Sequence, residues 1–143
     1  MIEAKTIIGV VEDDPLVRRA ITRLLLSAHF AVETFESAEA FLRSPHRVAC
    51  TCLLLDVDLP GQSGRELAHT LTAAKSHVPI IFITAREPHA ADPYFRRAVA
   101  WLTKPFEAND LFAAIQEALA SAGKKGIHFR RNTLLPQLLT ARA

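Results

Sequence analysis

The chain has 143 residues and a net charge of +2; half its residues are apolar and 22% are charged, an ordinary globular balance that suits one domain with one core. No apolar run approaches the ~20 residues a membrane span needs. The start, Met1-Ile2-Glu3-Ala4-Lys5, lacks the basic-then-apolar order of a secretory signal, so a cytoplasmic protein without membrane contact is expected.

Thr6 to Val11 reads as a buried strand that runs into Glu12-Asp13-Asp14. From Pro15 to Ser27, Val17, Ala20, Ile21, Leu24 and Leu25 recur at helical spacing, and Pro15 suits a first turn. Ala31 to Phe35 alternates as a strand does. Ser37 is placed to cap a short helix through Phe41 and Leu42. Cys50 to Val57 is a continuous apolar run, the pattern of a strand buried on both faces. Cys50 and Cys52, two apart on that strand, are expected on one face, as small buried hydrophobes rather than a disulfide.

Pro60-Gly61 marks a loop, and Ser63 with Glu66 forms a capping box for a helix to about Ala74. Pro79 to Thr84 is another buried strand. Asp92-Pro93 is placed to start a short helix to about Arg97. Val99 to Thr103 is the fifth strand, and Glu107 to Ala122 is a closing amphipathic helix with Leu111, Ile115 and Leu119 on one face. Five βα units imply a parallel sheet covered by helices on both faces. The domain is expected to span residues 1–122.

Residues 123–143 hold Lys124, Lys125, Arg130, Arg131 and Arg142 and no acid, so this tail is basic and the body before it carries −3. The tail is read as a flexible extension. Direct nucleic-acid binding is not expected, because five charges and one aromatic, Phe129, are a weak signal. The run Thr133 to Leu139 is an alternative docking segment for a partner.

In open parallel sheets, ligands bind beyond the carboxyl ends of the strands. Four strands end there in polar residues: Glu12 and Asp13 after the first, Asp56 on the third, Thr84 on the fourth, Lys104 after the fifth. Carboxylates gathered at one edge repel unless a cation lies between them. Mg2+ suits such a set because it needs few protein ligands and keeps waters for a phosphate. A carboxylate can take a phosphoryl group as an acyl phosphate, and that transfer needs mainly positioning and charge neutralisation.

Val10 to Pro15, Leu53 to Gly61, Ile81 to Ala85 and Trp101 to Phe106, in this order, resemble the receiver domains of two-component response regulators over about Lys5 to Ala122. The segment Phe30 to Leu42 looks most like FixJ-type receivers. The resemblance implies a doubly wound, flavodoxin-like (CheY-like) sheet in the order 2-1-3-4-5. It implies Asp56 as phosphoacceptor, with Mg2+ held by Asp13 directly, by Glu12 through water, by Asp56 and by the backbone carbonyl of Asp58. Lys104 would contact the phosphoryl group, aimed by a bond to Pro105 that is often cis. Thr84 and Trp101 match the switch pair, with Trp101 read equally well as a fixed core anchor. Asp58 and Arg86 match positions that tune loss of the phosphoryl group, and are read equally well as a solvated surface pair. A phosphoacceptor of this kind dephosphorylates itself slowly and is not a turnover enzyme.

The implied partners are a sensor histidine kinase or phosphotransfer protein and an unidentified downstream protein, with a homodimer as a further option. FixJ-type receivers usually precede a helix-turn-helix domain, and the residues after Ala122 are too few for one. A stand-alone receiver is therefore the first reading, and the receiver portion of a LuxR/FixJ-type DNA-binding regulator the second. A third reading, a haloacid-dehalogenase-like phosphatase, shares the Asp56-Val57-Asp58 pattern but expects its acidic pair after the lysine. Departures from the receiver pattern fall together. The Thr84–Lys104 interval is short, Arg97 stands where Gly is usual, and Pro88 and Pro93 oppose a full helix between the last two strands.

Overall fold

The computed structural model describes residues 6–89, 91–93 and 97–122. Five strands, β1 (Ile7–Val11), β2 (Ala31–Phe35), β3 (Cys52–Asp56), β4 (Ile80–Thr84) and β5 (Ala100–Thr103), form one parallel sheet in the order β2-β1-β3-β4-β5. The helices are α1 (Pro15–Ser27), α2 (Ala38–Arg43), α3 (Gly64–Ala73) and α4 (Ala108–Ala122), with a 3-10 turn over Pro45–Ala49. This is the doubly wound order expected of the sequence.

Local chemistry explains where the helices begin. Asp14 caps α1, its carboxylate accepting from the Leu16 and Val17 amides, with Pro15 in the first turn where no N–H is needed. The Ser37 hydroxyl accepts from the Ala40 amide at α2. At α3 the Ser63–Glu66 capping box is complete in both directions.

Alternation along the strands sends side chains to two cores. On one face Val10, Leu54, Ile81 and Leu102 pack against Ile21 and Leu25 of α1 and Leu111 and Ile115 of α4. On the other, Val11, Leu55, Phe82 and Trp101 pack with Phe41 of α2 and Leu67 and Leu71 of α3. Removing one large side chain from such a core costs about 3–5 kcal/mol.

Two expectations are corrected. Cys50 and Cys52 lie in different cores, Cys50 with α2 and α3 and Cys52 with α1 and α4. The reason is that Cys50 closes the 3-10 turn and the strand begins only at Cys52, so the two-residue alternation does not yet apply. Both are free and buried, and burial pushes their thiols up, to about 11 and about 12. The short helix expected from Asp92 to Arg97 is absent at its described residues, Asp92, Pro93 and Arg97, which lie in turns and bends. The basic tail, and the roles considered for it, lie outside the described residues.

Candidate functional site

The carboxyl ends of β1 and β3 are adjacent in the sheet, Val11 pairing with Leu55. Glu12 and Asp13 therefore emerge beside Asp56. Ligand oxygens of the three carboxylates lie within 4.8 Å of one another. Glu12 and Asp56 are buried and Asp13 is exposed, so the cluster has a sealed floor and an open mouth. Asp14, the third acid in the run, is used as the α1 cap and does not join them.

Lys104 follows β5 and reaches back across the sheet edge. Its Nζ lies 3.2 Å from Glu12 Oε1 and 3.2 Å from Asp56 Oδ2. The backbone N–H of Lys104 donates to the Thr84 carbonyl, and its peptide bond to Pro105 is cis. The other Asp56 oxygen, Oδ1, accepts from the Asp58 amide at 2.9 Å. The Asp58 residue itself is exposed.

Burial pushes the Glu12 carboxyl up to about 7. The Asp14 amide pulls it down, the Asp56 carboxylate pushes it up, and Lys104 pulls it down. For Lys104, burial works against the charge, but the Asp56 and Glu12 carboxylates outweigh it and hold the ammonium above its ordinary value. The lysine thus partly neutralises two buried acids that otherwise repel.

Thr84 is buried at the end of β4, and its hydroxyl accepts from the Arg86 amide at 3.1 Å. A hydroxyl that accepts there keeps its own hydrogen to donate elsewhere. Trp101 points away from the α1/α4 side into the core shared by α2 and α3. Only 3% of it is exposed, and its ring lies 4.6 Å from that of Phe82.

Two contributors, Gly64 and Arg18, were not singled out from the sequence, and Arg97 was noted there only as a departure, without its bonding role. Gly64 opens α3 against the end of β3; a Cβ there would sit 2.1 Å from the Asp56 carbonyl oxygen, so only glycine permits this approach. Its position at the first residue after the recognised Ser63 cap was the available signal. Arg18 donates to the backbone carbonyls of Glu12 and Asp13. Arg97 donates to Thr72 Oγ1, to the Val78 carbonyl and to the Ser76 carbonyl, tying the end of α3 to the start of β5. Sequence spacing carries no signal for the last two.

An acidic cluster and a lysine at the carboxyl edge of a 2-1-3-4-5 sheet define a receiver-type site. The response regulator receiver domain model matches residues 8–116, and the chain belongs to that family. It is 37% identical over 124 residues to the response regulator protein TmoT of Ectopseudomonas mendocina, covering 85% of this chain and 56% of the relative. It is 37% identical over 117 residues to the transcriptional regulatory protein FixJ of Bradyrhizobium diazoefficiens, covering 80% of this chain and 57% of that one. The chain thus spans little more than half the length of these relatives. Among solved structures, the response regulator StyR matches with a TM-score of 0.76 at 41% identity, covering 83% of this chain and 61% of StyR. The response regulator TrrA of Thermotoga maritima, solved with Mg2+-BeF, matches with a TM-score of 0.73 at 26% identity, covering 80% of this chain and 99% of that one. The chain is therefore a response regulator receiver of the two-component type, and among its described residues no helix is long and apolar enough to cross a membrane.

Proposed function

We propose that Asp56 accepts a phosphoryl group from a sensor histidine kinase or phosphotransfer protein, with Mg2+ bound by Asp13, Glu12, Asp56 and the Asp58 carbonyl. The observation that carries this is the convergence of three carboxylates and one lysine on a single sheet edge. The donor set is all oxygen with an open mouth, which fits Mg2+. When bound, Mg2+ supplies charge neutralisation for the phosphoryl oxygens. An Asp56 oxygen forms the new P–O bond while the bond to the donor breaks, its electron pair leaving with the donor. Lys104 then pairs with the phosphoryl group, and Thr84 donates its hydroxyl hydrogen to it. The acyl phosphate is lost slowly to water; the domain is a phosphoacceptor, not a turnover enzyme. Output goes through contact with another protein.

The test is intact-protein mass spectrometry with acetyl phosphate and Mg2+. One phosphoryl mass should be gained, and Asp56→Asn or excess EDTA should abolish it. Full labelling of Asp56→Asn overturns the assignment.

A second reading is favoured by the greater length of the relatives, one of them named a transcriptional regulatory protein. In it this receiver controls a DNA-binding domain. A helix-turn-helix encoded in frame after Ala143 would establish that reading, and a stop codon there would remove it. The phosphatase reading has no such support: the acids that cluster with Asp56 precede it in the chain, and the family matched is that of receivers.

A further inference from the structure

Asp13 is exposed, so packing does not aim its carboxylate. Its direction depends on the two peptide planes that flank it. The turn from Glu12 to Asp14 is held at most of its polar groups. The Glu12 amide donates to the Phe35 carbonyl, the Asp14 amide to Glu12 Oε2, and the Asp14 carbonyl accepts from the Arg18 amide. The remaining carbonyls, those of Glu12 and Asp13, belong to the two planes around Asp13. Arg18 Nη1 reaches both, at 2.7 Å and 3.4 Å. Arg18 stands on the second turn of α1, where Thr22 donates to its carbonyl. One guanidinium therefore ties a rigid helix to the backbone on either side of an exposed ligand.

We infer that Arg18 is a positioning residue for the cation site, holding the Glu12–Asp13 turn so that the Asp13 carboxylate faces Asp56. The inference rests on the phosphoacceptor reading above. Two effects of Arg18 on Mg2+ oppose each other. As a cation near the site it repels the ion, so removing it should tighten binding. As the clamp on the turn it preorganises the ligand, so removing it should weaken binding. Carbonyls held by a fixed hydrogen-bond donor are the larger influence, because Asp13 has no burial to hold it and Arg18 is itself half-exposed and screened by water.

The sign of one measurement decides. Mg2+ is titrated into the full chain by calorimetry for the wild type, Arg18→Met and Arg18→Lys. Arg18→Met keeps the stem but loses charge and donors, and should weaken Mg2+ roughly tenfold. Arg18→Lys keeps a donor and should recover part of that loss. Acetyl phosphate labelling of Arg18→Met should be slow at low Mg2+ and return to the wild-type rate at saturating Mg2+. Equal or tighter Mg2+ binding by Arg18→Met overturns the positioning role. If Arg18→Met does not fold, Arg18→Gln, which is neutral, reads it in its place: weaker Mg2+ binding than the wild type supports the clamp, and equal or tighter binding overturns it. A wild type that binds no Mg2+ overturns the phosphoacceptor reading itself, whatever the variants do.

Discussion

Lys104 and Glu12 form a buried-edge ion pair at 3.2 Å, and the same ammonium lies equally close to Asp56. The lysine thus occupies, in charge, part of the role a divalent cation plays. Any cation entering the cluster meets carboxylates already engaged and a positive charge already present. Lys104→Met should therefore raise Mg2+ affinity by about 1 kcal/mol or more, roughly fivefold or more, on Coulomb grounds alone. It should also slow phosphorylation, because the phosphoryl oxygens lose their lysine. Calorimetry for the first and mass-resolved labelling for the second should move in opposite directions; parallel loss would show that Lys104 supports the fold of the edge instead.

The same pair gives a pH dependence to the metal-free protein. The Glu12 carboxyl is pushed from an ordinary 4.5 to about 7, first by burial. Between those values the folded chain binds a proton the unfolded chain has lost. Stability contributed by Glu12 is thus full below about pH 4.5, falls as pH rises, and is gone above about 7, a change on the order of 3 kcal/mol. In EDTA, the melting temperature should drop between about pH 4.5 and 7. Glu12→Gln should flatten that drop, and Mg2+ should reverse it by favouring the ionised form. A wild-type curve as flat as that of Glu12→Gln would show that water reaches Glu12 and relieves its burial.

Much of this architecture was legible beforehand because it is written in local pattern. The apolar runs of β3 and β4, the Ser63–Glu66 box and the polar residues at four strand ends each follow from spacing along the chain. What escaped depends on tertiary placement. Arg97 bonds partners 19 to 25 residues away, and its guanidinium meets backbone carbonyls that have no sequence signature. Cys50 fell on the wrong face because the 3-10 turn before it displaced the strand start by two residues, and β alternation applies only within the strand.

Trp101 shows the same limit. Its position fits either a mobile reporter or an anchor, and burial separates them. With 3% of its surface exposed and Phe82 against its ring, the indole has little exposure left to lose. Its emission should be blue-shifted and its quenching by iodide weak before any phosphorylation. Beryllofluoride with Mg2+ should leave the quenching nearly unchanged, and Trp101→Ala should cost about 3–5 kcal/mol in urea unfolding. Strong quenching in the metal-free protein, lost on beryllofluoride binding, would restore the mobile-switch role.

The connection from β4 to β5 is where this chain departs most from the receiver pattern, and two arginines of different origin hold it. Arg65 of α3 pairs with Asp92 at 2.7 Å. Arg97, from the connection itself, grips Thr72 in the last turn of α3 and Ser76 and Val78 in the segment between α3 and β4. Burial pushes the Arg97 guanidinium below its ordinary value, though it stays charged. A charged donor serving two carbonyls and a hydroxyl is worth about 1.5–3 kcal/mol per well-made bond, and its removal leaves those acceptors to weaker partners. Arg97 precedes the amino end of β5, and Lys104 follows its carboxyl end. At ~3.3 Å per residue the two are roughly 20 Å apart. Arg97→Met should therefore lower stability by about 2 kcal/mol and open the connection to limited proteolysis between Ala85 and Val99. Acetyl phosphate labelling at Asp56, read on the folded fraction, should keep its wild-type rate. Slowed labelling with unchanged stability would mean that Arg97 acts on the chemistry and not as a strap.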